Sequence, residues 1–349
     1  MLYGIAAATT ALLLAAVLAA LLRVPALRLG AVDRRRQRPI PLFGGVAVVL
    51  ATCLVAAAGN WTGVAPLLGM GRLLVAGAAV AVLGLVADMR RVKARFLFGG
   101  TAVAAACVVP YDETGLPAGL LAVGWIVFVA AGFRALDHAD ALAGTVGVVT
   151  AFGVGACAAA EVMDGLAVLL SVLAAALTGF LMHNWHPARI ALGACGSLFV
   201  GFVLASAAVL TRSGYELASS GGVLFALTAT GSADVVLVLL SRRLAGRPLL
   251  RSGPDHLAHR LRRLGLTPQG TTVLLGVGSF SGVLVGVLQH LGWVAESGAF
   301  WVAGGALVVV LPLLRIKVYG ARRQPDHPPR PSTRTASVQV NGQLRVRSG

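Results

Sequence analysis

Long apolar stretches separated by short polar connections dominate the chain. Runs of about 15–22 residues, enough for a helix to cross a hydrocarbon layer, fall near 3–22, 40–59, 70–87, 96–110, 119–133, 142–160, 164–182, 190–211, 222–240, 270–288 and 298–316. That pattern predicts about eleven transmembrane helices, with ten as the alternative because the fourth and fifth runs are short. Short segments of alternating polarity, which would mark a transmembrane barrel, are absent. The fold class expected is therefore all-α, a polytopic membrane bundle. The first run has no basic stretch before it and no small-residue cleavage site before Arg23, so it reads as an uncleaved span. Composition agrees: 57% hydrophobic and only 12% charged excludes a single soluble domain and a disordered chain. The 44 glycines allow close helix approach in lipid.

The net charge is +16, and its placement sets the orientation. The first connection holds Arg23, Arg28, Arg34, Arg35, Arg36 and Arg38. The third holds Arg90, Arg91, Lys93 and Arg95, and the ninth runs from Arg242 to Arg263 with seven arginines. The alternate connections are nearly bare. Odd connections are thus expected in the cytoplasm, with the N-terminus outside and the C-terminus inside. Residues 1–320 make the membrane domain. The stretch 321–349, rich in Pro, Arg and Ser, is expected to be a disordered basic cytoplasmic tail. Cys53, Cys107, Cys157 and Cys195 sit inside apolar runs with no CxxC pair, as small core residues do.

The acids then separate. Asp112, Glu113, Glu161, Asp164, Glu216 and Glu296 fall outside, whereas Asp33, Asp88, Asp137, Asp140, Asp234 and Asp255 fall at the cytoplasmic ends of spans. Carboxylates gathered among arginines at one membrane face suit Mg²⁺ and a phosphorylated substrate. They suit a small-solute transporter less, since its charges gather near the midplane.

Several motifs carry two readings each. Arg38-Pro-Ile-Pro-Leu-Phe-Gly-Gly45 is a loop-to-helix entry or a close backbone approach to a ligand. Asp88, closing the third run, pairs with an arginine or handles a metal or proton. Asp137 and Asp140 share one helical face at i, i+3, as a site or as an ion cluster with Arg134. Asn184, ahead of Pro187, caps a helix or donates to a nucleotide. Asp234 is a lone acid in an apolar run. His256, His259 and Arg260 can grip a diphosphate. His-x-x-His can also hold zinc, but no third ligand lies near in sequence.

In order, these pieces resemble the polyprenyl-phosphate N-acetylhexosamine-1-phosphate transferases, glycosyltransferase family 4. That family includes phospho-N-acetylmuramoyl-pentapeptide transferase and the GlcNAc-1-phosphate transferases of teichoic acid and O-antigen synthesis. The resemblance runs from about Arg34 to Gly265. It rests on RPIPLFGG, G-x-x-x-D at Gly84–Asp88, D-x-x-D-x-L-A from Asp137, N-x-x-P-A from Asn184 then G-x-x-G-S from Gly193, intramembrane Asp234 followed by an arginine pair, and H-L-x-H-R-L-x-x-x-G from His256. It implies ten or eleven spans in the plasma membrane and a cytoplasmic site. It also implies Mg²⁺ as cofactor, polyprenyl phosphate and a UDP-N-acetylhexosamine as partners, no nucleic acid, and compatibility with a homodimer. The lipid phosphate would attack the β-phosphorus and release UMP. Asp88 would handle the proton or metal, and Asp137 and Asp140 the nucleotide or metal. Asn184 would lie on the nucleotide and Asp234 in the substrate site, with His256, His259 and Arg260 on the diphosphate. At positions where the family has Asp, Asp and His, this chain has Ala87, Ala194 and Ala258. Arg134 replaces an Asn, Leu97 a Lys, and His138 and Ala141 two glycines. An inactive relative that binds lipid phosphate or a partner enzyme is the rival reading.

Overall fold

A computed structural model of the protein describes residues 2–33, 39–61, 70–90, 92–248, 253, 255–316 and 318. The expected tail and its boundary at 320 lie outside these residues. The first helices are α1 (Leu2–Arg28), α2 (Gly44–Trp61), α3 (Gly71–Met89), α4 (Ala94–Ala106) and α5 (Tyr111–Leu136). Then come α6 (Leu142–Ala160), α7 (Asp164–Asn184), α8 (Gly193–Thr211), α9 (Leu217–Leu227) and α10 (Ala229–Leu244). The last three are α11 (Leu257–Arg263), α12 (Pro268–His290) and α13 (Gly298–Leu314). Two-residue strands β1 (Val32–Asp33) and β2 (Ile40–Pro41) pair antiparallel.

Every apolar run of the sequence coincides with helix. Eight helices are long and apolar enough to span a membrane by themselves. α9 and α10 meet that test only together, bent by 86°, and α4 and α13 are shorter apolar helices at the two remaining runs. The chain is a multi-pass helical membrane protein. The bend falls at Thr228, whose backbone leaves the helical region at φ −121°, ψ 15° and whose hydroxyl donates to the Leu224 carbonyl at 2.8 Å.

α8 is the axis of the bundle, buried along nearly its whole length. Glycines let its neighbours reach it. A Cβ on Gly45 of α2 would lie 2.2 Å from the Gly196 nitrogen, and one on Gly84 of α3 would lie 2.4 Å from the Ala194 carbonyl. Gly201 packs likewise on the backbone of Ala130 in α5. Backbone contact of this kind supplies the van der Waals packing that drives helix association where apolar surface alone cannot. The cysteines divide: Cys157 and Cys195 are buried, Cys53 is half-buried, and Cys107 is exposed, contrary to its expected place in the core.

Candidate functional site

The amino end of α8 collects the motifs. Pro41, Gly44 and Gly45 of the RPIPLFGG motif bond to the stretch leading into α8: Ala191 N–H donates to the Pro41 carbonyl (2.8 Å), Gly44 N–H to the Ala191 carbonyl (3.0 Å) and Gly45 N–H to the Leu192 carbonyl (2.9 Å). Its glycines are therefore required by the chain's own backbone. The first turn of α8 has amides with no intrahelical partner, and two carboxylates from other helices take them. Asp88, at the end of α3, accepts from Ala194 N–H at 2.8 Å and Cys195 N–H at 3.0 Å. Asp137, just past α5, accepts from Gly193 N–H at 2.9 Å. Negative charge is favoured at this end of a helix. Gly193 has φ +71°, and a Cβ there would sit 2.7 Å from the Asp88 carboxylate. Arg134, in the last turn of α5, acts electrostatically on Asp88 as an attracting charge, and Asp33 as a repelling one.

Asp140 serves a different structure. Its Oδ2 meets His186 Nδ1 at 2.7 Å and accepts from Ala188 N–H at 3.2 Å. Asn184, buried, takes Ala141 N–H on its carbonyl oxygen at 2.9 Å and donates to the Ile190 carbonyl at 2.7 Å. Together they clamp the loop between α7 and α8 against the α5–α6 turn, where Ala141 holds φ +60°. Asn184 thus fills all the space the sequence allowed for a cap, but across elements rather than within a helix.

A second cluster lies against the first, joined through the neighbouring residues Asp137 and His138. Asp234, fully buried, accepts from Leu257 N–H at 2.7 Å and meets His256 Nδ1 at 2.8 Å. His138 stacks on His256 with ring centroids 4.2 Å apart, and His259 lies 4.7 Å from His138. Burial, with His256 close by, pushes the His138 imidazole down to about 3. Burial, with His256 and Arg262 nearby, pushes His259 down to about 4. Both are neutral at pH 7, so neither brings positive charge to a diphosphate.

Arg260 is placed away from any open site. It is buried, and its guanidinium donates to the carbonyls of Asp255 (3.1 Å), Leu313 and Ile316 (3.0 Å) and to the Ser241 hydroxyl. Arg242 makes a two-pronged pair with buried Asp255 at 2.6 and 3.0 Å. These arginines fasten α10 and α11 to the end of α13. Arg260, expected from sequence on the diphosphate, thus spends its guanidinium on the protein's own carbonyls and a hydroxyl. His138 is the residue that sequence reasoning passed over, and Arg134, read as a partner of Asp137 and Asp140, acts on Asp88 as well. Each stands at a departure from the family pattern, which was the available clue.

The three carboxylates expected to hold Mg²⁺ end on different partners. Among the described residues, the set of three ligand groups close enough to share an ion is His138, Asp234 and His256, not Asp88, Asp137 and Asp140. Asp140 is committed to His186 and Ala188. Asp88 and Asp137, which end on consecutive amides of α8, carry the oxygen ligands that a hard cation takes.

Comparison with known proteins agrees with the motif reading. Residues 70–212 match the model for glycosyl transferase family 4. A Streptomyces coelicolor protein named as a candidate glycosyltransferase is 67% identical, over 92% of this chain and 80% of its own length. The decaprenyl-phosphate N-acetylglucosaminephosphotransferase of Mycolicibacterium smegmatis is 27% identical over 86% of both chains. The phospho-N-acetylmuramoyl-pentapeptide-transferase of Moorella thermoacetica is 34% identical over 44% of this chain and 46% of its own. A bundle of apolar helices built around α8, with several of the ordered motifs meeting at that helix's amino end, the family match over residues 70–212 and 67% identity over 92% of the chain to one relative lead to one conclusion: the chain belongs to glycosyl transferase family 4.

Proposed function

We propose that the protein transfers an N-acetylhexosamine-1-phosphate from a UDP-sugar to polyprenyl phosphate at the cytoplasmic face, releasing UMP. The observation that carries this reading is the convergence of Asp88 and Asp137 on consecutive amides of α8, with Arg134 beside them. In the reaction an oxygen of the lipid phosphate forms a bond to the β-phosphorus. The bond from that phosphorus to the bridging oxygen breaks, and the electron pair leaves with UMP. The protein's work is positioning and charge stabilisation. Asp88 receives the lipid phosphate's proton when that group arrives protonated, and Arg134 offsets the charge gathered at the reacting phosphates. A Mg²⁺ held by Asp88 and Asp137 would supply Lewis-acid neutralisation of the diphosphate. Asn184 and Asp140 keep the α7–α8 loop in place, so the amides of α8 stay aimed at the site.

A second reading, binding of lipid phosphate without transfer, is favoured by one feature. Ala194 stands beside Asp88 at the first turn of α8 and brings a methyl group where a further carboxylate would add a ligand. The assay that separates them supplies purified protein with Mg²⁺, polyprenyl phosphate and labelled UDP-N-acetylhexosamines. Transfer gives label in the lipid phase and equimolar UMP. Lipid-phosphate binding without turnover for any sugar selects the second reading, and neither result refutes both. Turnover appearing only in the Ala87→Asp, Ala194→Asp double variant also selects the second.

A further inference from the structure

At the carboxyl end of α8, far along that helix from Asp88 and Asp137, one chain of side chains ties several helix ends together. Arg212, the residue after α8, is buried. One of its guanidinium nitrogens donates to His290 Nδ1 at 3.2 Å and another to the Ser219 hydroxyl of α9 at 2.9 Å. The guanidinium also lies 3.8 Å from the centre of the Tyr215 ring, a cation–π contact. His290, the last residue of α12, is buried, and its Nε2 lies 3.2 Å from the carboxylate of Glu161, just past α6. Tyr215 closes the chain by donating its hydroxyl to the same carboxylate. The transfer chemistry uses none of these groups.

His290 is the pivot. A guanidinium only donates, so Nδ1 offers its lone pair and the single proton of the ring sits on Nε2, facing Glu161. The arrangement is therefore specific for the neutral imidazole. A proton on Nδ1 abolishes the acceptor that Arg212 uses. It also sets a second cation against the guanidinium, in a buried place where charge is costly. Glu161 pulls the other way, but its side chain is 30% exposed and shared with Tyr215, so solvent weakens its hold. The other titratable groups facing this cluster are Cys157 of α6 and Tyr215, both uncharged near neutrality, and exposed Glu296, which acts on Arg212 from the connection after α12.

We infer that Glu161, Arg212, Tyr215 and His290 form an acid-sensitive latch, which fastens the α6–α7 and α8–α9 connections to the end of α12 and opens when His290 takes a proton. The latch does not depend on the transfer reaction. It stands at the opposite end of α8 from the transfer site, so with that site at the cytoplasmic face it meets the outside medium. The latched form binds no proton at Nδ1, whereas the released ring behaves as an ordinary imidazole, half-protonated near about pH 6.5. The closed state is therefore fully held above that pH and is lost as the pH falls below it. From about pH 7.5 to about pH 5.5, protonation favours the open form by up to about tenfold.

The test uses full-length protein in detergent carrying Cys53→Ser and Cys107→Ser. Two buried thiols remain: Cys157, one turn before Glu161, and Cys195 at the other end of α8 as reference. Labelling by dithiodipyridine, which reacts in acid, is read at each cysteine by peptide mass spectrometry at about pH 7.5 and about pH 5.5. In this parent the ratio of Cys157 to Cys195 labelling should rise by up to about tenfold in acid. His290→Gln keeps an acceptor for Arg212 and a donor for Glu161 without titrating, and its ratio should stay flat. Glu161→Gln removes the charge that favours the imidazolium, and its ratio should rise at least as much as the parent's. A flat ratio in the parent, or a rise in His290→Gln equal to the parent's, overturns the latch. Should His290→Gln elute as aggregate, Glu161→Gln decides, and a flat ratio there overturns it equally. Labelling is measured without turnover, so its failure is distinct from failure of the transfer assay.

Discussion

Asn184 separates two accounts of the loop before α8. In one it donates to a nucleotide; in the other it braces the backbone. The structure commits both ends of its amide, the oxygen to Ala141 N–H and the nitrogen to the Ile190 carbonyl, inside a region where the side chain is 3% exposed. Asn184→Ala leaves two buried backbone groups unpaired at about 1–3 kcal/mol each, so roughly 2–6 kcal/mol is lost. Ala141 adds to the demand, because its φ of +60° costs a side-chain-bearing residue about 1–2 kcal/mol. Ala141→Gly should therefore recover part of the loss in the double variant. Thermal unfolding in detergent, followed by a thiol-reactive dye that reports exposure of buried Cys157 and Cys195, measures both effects. The expected outcome is a midpoint several degrees lower for Asn184→Ala and a partial return with Ala141→Gly. A midpoint unchanged from the natural protein, with uridine nucleotide binding abolished, would refute the brace and restore the nucleotide role.

Other substitutions probe neighbouring claims. Gly193→Ala forces a methyl within 2.7 Å of the Asp88 carboxylate and the Leu42 carbonyl, at φ +71°. It should lower the unfolding midpoint and cut both lipid-phosphate binding and any transfer; a variant indistinguishable from the parent would show that this approach is not needed. Arg242→Met removes the two-pronged partner of Asp255, 0% exposed, and should cost up to about 3–5 kcal/mol; a variant as stable as the parent would contradict the pairing. Arg242→Met with Asp255→Leu should recover most of that loss, since apolar replacement of a buried pair is often neutral. Asp137→Asn keeps the side chain's shape but removes a charge from the end of α8. It should weaken binding of lipid phosphate in Mg²⁺ more than in chelator, and equal weakening in both would count against the pair as cation ligands.

Much of the fold was legible because hydrophobic length is a direct physical requirement of a bilayer. All eleven apolar runs coincide with helix; the fifth, expected to be short, is the long α5, whereas the fourth and the eleventh form the shorter α4 and α13. The break at Thr228 carried no proline or glycine to mark it. The site was partly legible. Asp88 and Asp137 were picked from their positions at helix ends, but their partners are backbone amides of α8, which carry no mark in sequence. Arg260 was read as a substrate ligand because its burial depends on carbonyls of Leu313 and Ile316, far along the chain. Asp140 was grouped with Asp137 by helical spacing, yet the turn between α5 and α6 ends the helix and sends it to His186. Zinc was set aside for want of a third ligand near in sequence, and His138, which stacks on His256, is distant from it along the chain.

The central claim is that the phosphorylated lipid end docks at the amino end of α8. Photo-crosslinking with a polyprenyl phosphate analogue carrying a diazirine next to the phosphate locates that end directly. The expected adducts lie within residues 84–88, 134–138 and 190–197, and unmodified polyprenyl phosphate competes them away. Competable adducts confined to another part of the bundle, with those three segments unlabelled, would contradict the account.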